Sequence, residues 1–369
     1  MASRRLLTRR ERVEYRAAQV LGALPPQLQV RLSGKPQVTI EGDTLAPGMQ
    51  LSLAVLERRN APRLETLSPE AARAVRRRQT TIYAGRPVEV GAVRDLLLET
   101  ATGELAARHY APAERGAELP LLVYYHGGGF TFGDLETHDG VCRMLCRHSG
   151  AHVLAIDYRL APEHPFPAAV QDARAALAWA SEHAGELGAD VARVGVGGDS
   201  AGGNLAAVVA QLAARDGGPA PALQLLIYPV TDFTRRTGRS RELFGDGFLL
   251  TTSEMDWFDA NYLDGSGVSR EDPRVSPLYG EDLGGLAPAI VVTAGFDPLR
   301  DEGEAYAAAL SAAGTPATLR RFPGFIHAFI NLAGVSAACR EAVAEIAGMT
   351  RALFANVPAA DHSSALRAS

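Results

Sequence analysis

The amino-acid sequence predicts an α/β fold in which helices flank a mostly parallel sheet of eight strands. From Val93 onward, segments with the composition of strands alternate with helical patterns, an order typical of parallel strands joined by helical crossovers. The apolar runs LLVYY, VLAI, LQLLIY and AIVV lack the polar alternation of a sheet with one solvated face. We therefore expect both faces of the sheet to be covered.

Each predicted strand is bounded by glycine, proline or polar residues. The strand segments are VRDLLLE (93–99), ELAARHYA (104–111), LPLLVYYH (119–126), AHVLAIDY (151–158), ARVGVGG (192–198), ALQLLIYP (222–229), PAIVVTAGF (288–296) and ATLRRFPG (317–324). Apolar residues recur at helical spacing between and after the later strands. These patterns predict helices over 139–149, 168–183, 201–214, 302–313 and 336–354.

The chain divides into regions of different character. Residues 1–90 are rich in arginine and predict an accessory helical cap, in which Ser68 is the N-cap of a helix that Pro69 begins. Residues 91–358 form the predicted α/β domain, and the tail 359–369 is expected to be flexible. Residues 231–286 interrupt the alternation and carry many aromatic side chains. Such an insertion predicts a lid or pocket wall, the alternative being a helical excursion that packs into the core.

Composition excludes several classes of protein. The 369 residues carry a formal charge of −5, and only Lys35 among the 37 basic residues is a lysine, so no nucleic-acid partner is expected. Three cysteines are too few for a disulfide framework and fit a reducing compartment. The first dozen residues hold five arginines without the apolar run of a signal peptide. We expect a cytoplasmic protein without a membrane partner.

Gly198-Asp199-Ser200-Ala201-Gly202 follows one predicted strand and opens a predicted helix. This is the G-x-S-x-G arrangement in the strand–turn–helix context that it requires. The turn is so tight that its flanking positions must lack bulk, and it holds the serine hydroxyl clear of the sheet at the positive end of a helix. Ser200 is therefore the candidate nucleophile.

His126-Gly127-Gly128-Gly129 follows the strand LLVYY. Three successive glycines leave backbone N–H groups unobstructed, at an entropic cost that a plain turn does not require. An HGGG loop after a strand is the oxyanion-hole element of lipases and esterases. We expect the N–H groups of Gly128, Gly129 and Ala201 to be the oxyanion donors.

A serine hydroxyl needs a base, and the base needs an orienting carboxylate. Asp297 follows the strand AIVVTAGF and His327 follows the strand ATLRRFPG, which gives the chain order Ser, Asp, His of an α/β-hydrolase. Asp301 and Asp282 are alternatives to Asp297. Four other histidines fall in helices or turns before or near the nucleophile, where surface or capping roles are expected; they are His138, His148, His164 and His183.

These motifs resemble the bacterial hormone-sensitive-lipase family of carboxylesterases, in the branch whose nucleophile motif reads GDSAG. The matching segments are HGGGF (126–130), DYRLAPEHPFPAA (157–169), GDSAGGNLA (198–206), DPLRDEG (297–303) and GFIHAF (324–329). The resemblance implies an α/β-hydrolase fold with an N-terminal cap and a Ser-His-Asp mechanism on short- to medium-chain acyl esters. It also implies that a homodimer is common. The long, arginine-rich first 90 residues depart most from the family.

The expected ligand is a small ester, with no cofactor and no metal. Gly195-Val-Gly197-Gly198-Asp199-Ser200 has serine where a dinucleotide motif needs its third glycine, and neither GK[ST] nor H-E-x-x-H occurs. An amidase or acyltransferase with the same triad is the alternative enzyme, and a non-catalytic binder on this fold is the alternative of another class. The predicted pocket residues are Phe130, Asp199, Phe248, Leu249 and Trp257.

Overall fold

The computed structural model describes residues 8–59, 62–114, 119–236 and 238–357, so the predicted flexible tail lies outside the described residues. The strands of the described chain are β1 Thr39–Ile40, β2 Asp43–Thr44, β3 Ala92–Thr100, β4 Gly103–Ala111, β5 Leu119–Tyr125, β6 His152–Ile156, β7 Ala189–Asp199, β8 Gln224–Ile227, β9 Ala289–Phe296 and β10 Ala317–Ile326. Its α-helices are α1 Arg9–Gly22, α2 Pro26–Ser33, α3 Pro47–Arg58, α4 Pro69–Tyr83, α5 Asp139–Ser149, α6 Ala168–His183, α7 Ala201–Asp216, α8 Ser240–Phe244, α9 Thr252–Leu263, α10 Arg300–Ala312 and α11 Ala337–Ala355.

Eight strands form one sheet in the order β10-β9-β8-β7-β5-β6-β4-β3. Within the described part of this sheet, β3/β4 and β4/β6 are antiparallel and the other pairs are parallel, so the predicted fold class is confirmed. Tyr125 at the end of β5 lies opposite Gly198 of β7 and Ile156 of β6. Because β5 lies between strands that follow it in the chain, the strand order reverses there, and ligands bind at such a point outside the carboxyl ends of the strands.

Side chains of β5 alternate between two cores, one on each face of the sheet. Leu121, Val123 and Tyr125 pack with residues of α6, α7 and α10, whereas Leu122 and Tyr124 pack with residues of α5 and α11. All five side chains are at most 1% exposed. The run LLVYY is apolar throughout because both faces of the strand are covered.

Helices α1–α4 precede the sheet, and we call them the N-terminal helices. Ser68 caps α4 by accepting a hydrogen bond from Ala71 N–H, and Pro69 is the first residue of the helix, so this predicted helix start is confirmed. The hairpin of β1 and β2 was not predicted. Each of its strands has only two residues, which is too short to produce a periodic pattern.

Residues 231–286 contain α8 and α9 and, apart from the undescribed residue 237, no strand. Their aromatic side chains divide between the two predicted roles. Phe244 is fully buried against Phe296, as in an ordinary core, whereas Phe258 of α9 borders the cavity described below. The insertion is therefore partly core and partly pocket wall.

None of the helices in the described part of the chain combines the length and apolar character needed to cross a bilayer. The three cysteines, Cys142, Cys146 and Cys339, are buried and unpaired. Burial raises the pKa of each thiol, to about 12 for Cys146 and Cys339. These side chains are apolar core groups and not reactive thiolates.

Candidate active site

Ser200 lies between the end of β7 and the start of α7 in a strained backbone conformation. Its φ is +55° and its ψ is −118°, a region that costs a residue other than glycine about 1–3 kcal/mol. A β-carbon at Gly198 or at Gly202 would collide with the carbonyl oxygen of Tyr125 at the end of β5. The two motif glycines are therefore required by the close approach of β5, and the turn holds the Ser200 hydroxyl at the carboxyl edge of the sheet.

His327 lies between Ser200 and Asp297. Its Nε2 is 3.1 Å from Ser200 Oγ, and its Nδ1 is 2.7 Å from Asp297 Oδ2. A carboxylate only accepts hydrogen bonds, so Nδ1 carries the proton and Nε2 is free to accept one from the serine hydroxyl. Leu299 N–H donates to the other oxygen of Asp297 at 2.8 Å. Asp297 is completely buried, and His327 is 6% exposed.

The two alternative carboxylates lie elsewhere. Asp301 accepts hydrogen bonds from Arg300 Nε at 2.7 Å and from the backbone N–H of Ser240 at 2.9 Å. Asp282 accepts one from Gly284 N–H at 2.9 Å. Both are occupied in local structure, and the structure places Asp297 alone of the three against His327.

Residues 127–133 form a loop, here called the oxyanion loop, that packs beside Ser200. Gly128 and Gly129 have φ values of +125° and +58°, which favour glycine. A β-carbon at Gly128 would strike the carbonyl of Phe132, and one at Gly129 would strike the Phe258 ring. The N–H groups of Gly128, Gly129 and Ala201 donate no hydrogen bond to any of the described residues. These groups are free to bind an anion.

Asp199 connects the oxyanion loop to the serine turn. Its Oδ1 accepts hydrogen bonds from Gly127 N–H at 3.0 Å and from the Tyr124 hydroxyl at 2.7 Å, and His138 Nε2 lies 3.3 Å away. Burial by itself would raise the pKa of Asp199, but the His138 imidazole and these hydrogen bonds outweigh it and lower the pKa. Asp199 is therefore an anion that holds the backbone of the oxyanion loop, and it also lines the pocket.

The position of His138 corrects the sequence interpretation. It occupies the N-cap position of α5, but its side chain makes no capping hydrogen bond and is only 6% exposed. It lies instead against Asp199 and near the ring of His126. Sequence gave no signal for this contact, because Asp199 and His138 are brought together only by the pairing of β5 with β7.

His126 was treated only as the first residue of the HGGG motif, and the structure gives it a supporting place. Its Nδ1–H donates to Gly127 O at 2.9 Å, and its ring stacks on Tyr158 at 4.3 Å. Burial, helped by the nearby His138, lowers the pKa of His126 to about 4. The ring is therefore neutral at neutral pH and braces the start of the oxyanion loop.

A cavity of about 240 Å³ lies over Ser200 and His327. The predicted pocket residues Phe130, Asp199 and Leu249 line it, but Phe248 and Trp257 do not. Phe248 packs on Phe296 and Phe244 in the core, and Trp257 packs on its neighbour Phe258 and the cluster around Leu64. For Trp257, helical rotation explains the difference, because α9 directs adjacent side chains to different faces, whereas Phe248 precedes that helix.

The other lining residues were not predicted individually, although the sequence predicted a cap over residues 1–90 and a lid or pocket wall over residues 231–286. Most of them come from the insertion and from three of the N-terminal helices, whose individual contacts with the sheet domain have no sequence signature, and Phe132 and Leu299 add to them. The unpredicted apolar lining residues include Leu21, Leu51, Val55, Leu56, Phe132, Leu250, Met255, Phe258 and Leu299. The cavity is thus roofed by α1, α3 and α4 from one side and by α9 from the other.

Comparison with known proteins agrees with this geometry. The profile of the α/β hydrolase fold family matches residues 122–331. Carboxylic ester hydrolase LipN of Mycobacterium tuberculosis is 53% identical over 319 residues, which cover 85% of this chain and 84% of LipN. Ethyl acetate hydrolase of Pseudomonas putida is 40% identical over 276 residues, covering 74% of this chain and 86% of that enzyme.

Among solved structures, ester-hydrolase EH1AB1 from the metagenome of Lake Arreo superposes with a TM-score of 0.81 at 42% sequence identity. The match covers 85% of this chain and all of EH1AB1. The esterase of Pyrobaculum calidifontis superposes with a TM-score of 0.76 at 40% identity, covering 84% of this chain and 99% of that one. The likeness extends beyond the sheet into part of the N-terminal helices, since the sheet domain alone is shorter than the matched share.

Proposed function

Because the chain belongs to the α/β-hydrolase family, among the carboxylesterases of the hormone-sensitive-lipase type, we propose that it cleaves short- to medium-chain acyl esters through an acyl-enzyme. It is a carboxylic ester hydrolase, and the proposal adds the site geometry to this membership. The observation that carries the proposal is the position of His327, within hydrogen-bond distance of both Ser200 Oγ and Asp297. This is the geometry required of a base between a nucleophile and its orienting carboxylate.

In the first half of the reaction, Ser200 Oγ attacks the ester carbonyl while His327 Nε2 accepts the hydroxyl proton. Asp297 holds the imidazole through Nδ1–H and stabilises the imidazolium that forms. The carbonyl π electrons move onto oxygen and give a tetrahedral oxyanion. Collapse of this intermediate expels the alcohol, which takes the proton from His327 Nε2, and leaves the acyl group on Ser200.

The oxyanion accepts hydrogen bonds from Gly128 N–H, Gly129 N–H and Ala201 N–H. These groups are fixed before substrate arrives, because Asp199 ties the oxyanion loop to the serine turn. Preorganised donors stabilise developing charge without a reorganisation cost. In the second half of the reaction, water replaces the alcohol, His327 takes its proton, and the acid leaves Ser200 by the same route.

Two features support small substrates. The cavity is about 240 Å³, below the range of about 300–1,000 Å³ common for small-molecule pockets, and the N-terminal helices and α9 roof it. The name of the Pseudomonas putida relative, ethyl acetate hydrolase, also favours short acyl groups. We propose that residues 1–90 act as a cap on a catalytic domain of residues 91–358. The cytoplasmic location and the homodimer expected from the sequence stay predictions.

The proposal is tested with 4-nitrophenyl esters from acetate to palmitate. Each buried methylene contributes about 0.8 kcal/mol, so kcat/KM is expected to rise from acetyl towards butyryl or hexanoyl and to fall once the chain meets the cavity wall. The measurement is kcat/KM below the critical micelle concentration of each ester. A value for the palmitoyl ester equal to or above that for the butyryl ester would contradict the proposed chain-length range.

A further inference from the structure

Arg76 of α4 lines the same cavity as Ser200, although it belongs to the N-terminal helices. We propose that its guanidinium binds a second, anionic group of the substrate, remote from the scissile bond, so that the preferred esters carry a carboxylate. The inference rests on the proposed function and adds a class of substrate to it. It follows from four observations about the charges that face the cavity.

The first observation is that Arg76 lacks a hydrogen-bonded partner within the described residues. Its Nε is buried without any partner. Its side chain is 27% exposed, and the guanidinium lies 5.0 Å over the ring of Phe132, which also lines the cavity. Burying a charged donor without an acceptor is costly. An acceptor supplied by a ligand would remove that cost.

The second observation concerns Glu254, the one carboxylate within 4.0 Å of Arg76 in the described part of the chain. Its Oε1 is 3.9 Å from an Arg76 Nη atom, which is too far for a hydrogen bond. The same carboxylate is committed to the start of α9, where it accepts from Thr251 N–H at 3.3 Å in a capping box. Burial raises the pKa of Glu254, and Arg76 only partly reverses the shift.

The third observation is that the other lining cations are engaged. Arg235 pairs with Asp259 at 2.6 Å, and Arg241 pairs with Glu302 at 2.6 Å. Arg59, whose side chain is 39% exposed, lies 3.9 Å from Glu14 and donates to the Tyr83 hydroxyl at 3.2 Å. Among the arginines that line the cavity in the described residues, Arg76 is therefore the one without a close partner. Its Nε is buried, and its guanidinium is free to bind an anion.

The fourth observation is that the other lining carboxylates do not oppose an anionic ligand strongly. Asp259 is neutralised by Arg235 and also by Arg270 at 2.6 Å. Asp199 is held by Tyr124, Gly127 and His138, as described above. A ligand carboxylate at Arg76 would thus face one competing charge, Glu254, and would gain the short, two-pronged geometry that guanidinium offers to carboxylates.

The test compares charged and uncharged esters of equal length in two arms. One arm pairs mono-4-nitrophenyl adipate with 4-nitrophenyl hexanoate, and the other pairs 6-butyryloxyhexanoate with hexyl butyrate. For each pair we take the ratio of kcat/KM for the charged ester to that for the uncharged ester. Arg76→Met is expected to lower this ratio about tenfold or more in at least one arm, as expected for a charge-assisted hydrogen bond, chiefly through KM.

Glu254→Gln gives a second, opposite expectation. Glutamine still fills the N3 position of a capping box, but it no longer competes for Arg76, so the ratio should rise severalfold in the arm that Arg76→Met lowers. General damage to the cavity would not move the two variants in opposite directions. Arg77→Met is the matched control. It removes the same charge from the same helix outside the cavity, where Arg77 pairs with Asp134, and should leave the ratio unchanged.

The outcomes separate this inference from the proposed function. A ratio that Arg76→Met leaves unchanged in both arms, or that Arg77→Met lowers equally, would overturn the role of Arg76. Hydrolysis of 4-nitrophenyl hexanoate that persists in Ser200→Ala would instead overturn the proposed function. If Arg76→Met does not fold, the ratio for Glu254→Gln still decides, because no rise in either arm contradicts the inference.

Discussion

Different interactions hold the residues around Ser200 and the N-terminal helices in place. Around Ser200, the catalytic candidates are joined by short buried hydrogen bonds: Asp297 is inaccessible and holds both His327 and Leu299 N–H. The N-terminal helices contact the sheet domain through apolar side chains such as Met49 and, in α4, through arginine side chains. Arg73 of α4 donates to Thr131 O at 2.7 Å and to Ala161 O at 2.8 Å, and it pairs with Glu163 at 2.7 Å.

This difference separates the chemistry from the choice of substrate. Buried networks with satisfied partners are rigid, and removal of one member leaves the others uncompensated. Half-exposed ion pairs such as Arg73–Glu163 contribute about 0–1 kcal/mol each, so we expect their loss to have little effect on the triad. We expect substitutions near Ser200 to change kcat and substitutions in the N-terminal helices to change KM.

The largest effect is expected from the triad. Ser200→Ala or His327→Ala removes the nucleophile or its base, and kcat should fall about 10⁴-fold or more, with the residual rate coming from oxyanion binding. The measurement is steady-state hydrolysis of 4-nitrophenyl butyrate, with circular dichroism to verify the fold. Because the residues act as one unit, the double variant should be no slower than the slower single variant. Activity within tenfold of the parent enzyme in either single variant would refute the assignment.

The next effect concerns the oxyanion loop. Gly128→Val would force a side chain against the Phe132 carbonyl and displace the donor N–H. Loss of one such donor costs about 10²–10³ in kcat. Gly103→Val is the matched control, since Gly103 also has a positive φ, +107°, but has open space around it in a hairpin turn.

The control should lose stability while keeping kcat, which separates backbone strain from the loss of a donor. Melting temperatures of both variants, measured beside the kinetics, provide that separation. An unchanged kcat in Gly128→Val would show that the loop does not stabilise the oxyanion. The proposed difference between the two regions would then rest on the triad alone.

The smallest effect is expected in the N-terminal helices. Arg73→Met frees α4 from the oxyanion loop and the 160–163 turn, which should raise KM for 4-nitrophenyl butyrate about 3- to 10-fold while kcat changes less than threefold. Arg174→Met removes a similar exposed pair, Arg174–Asp216, from the far side of the sheet domain and should change neither constant. A fall in kcat as large as the rise in KM would mean that α4 supports catalysis through Thr131, and the proposed separation would be wrong.

Much of the sheet domain was predictable because its signals are local. A strand buried on both faces shows as a continuous apolar run, and LLVYY is such a run. The strained turn at Ser200 shows as glycines on either side, because the collision with Tyr125 leaves no other choice. Asp297 and His327 follow strands whose carboxyl ends meet at one edge, so their proximity to Ser200 follows from the topology.

Side-chain direction and contacts between distant segments were less predictable. Of the predicted pocket residues, Phe130, Asp199 and Leu249 line the cavity, whereas Phe248 does not and Trp257 is replaced by its unpredicted neighbour Phe258. Within α9, a shift of one residue turns the side chain by about 100°, and aromatic content alone does not fix which residue faces the cavity. A surface or capping role was predicted for His138, because its contact with Asp199 spans 61 positions of sequence and leaves no local pattern.

The sequence by itself determined the α/β fold, the serine turn, the glycine loop and the order of the three predicted catalytic residues, because each depends on local sterics or on the period of one strand or helix. Tertiary structure alone decided which side chains line the cavity and how the N-terminal helices cover it. Arg76 illustrates the reason. It is one arginine among several in α4, and only the packing of α4 over Phe132 and beside Glu254 turns its charge towards the cavity instead of solvent.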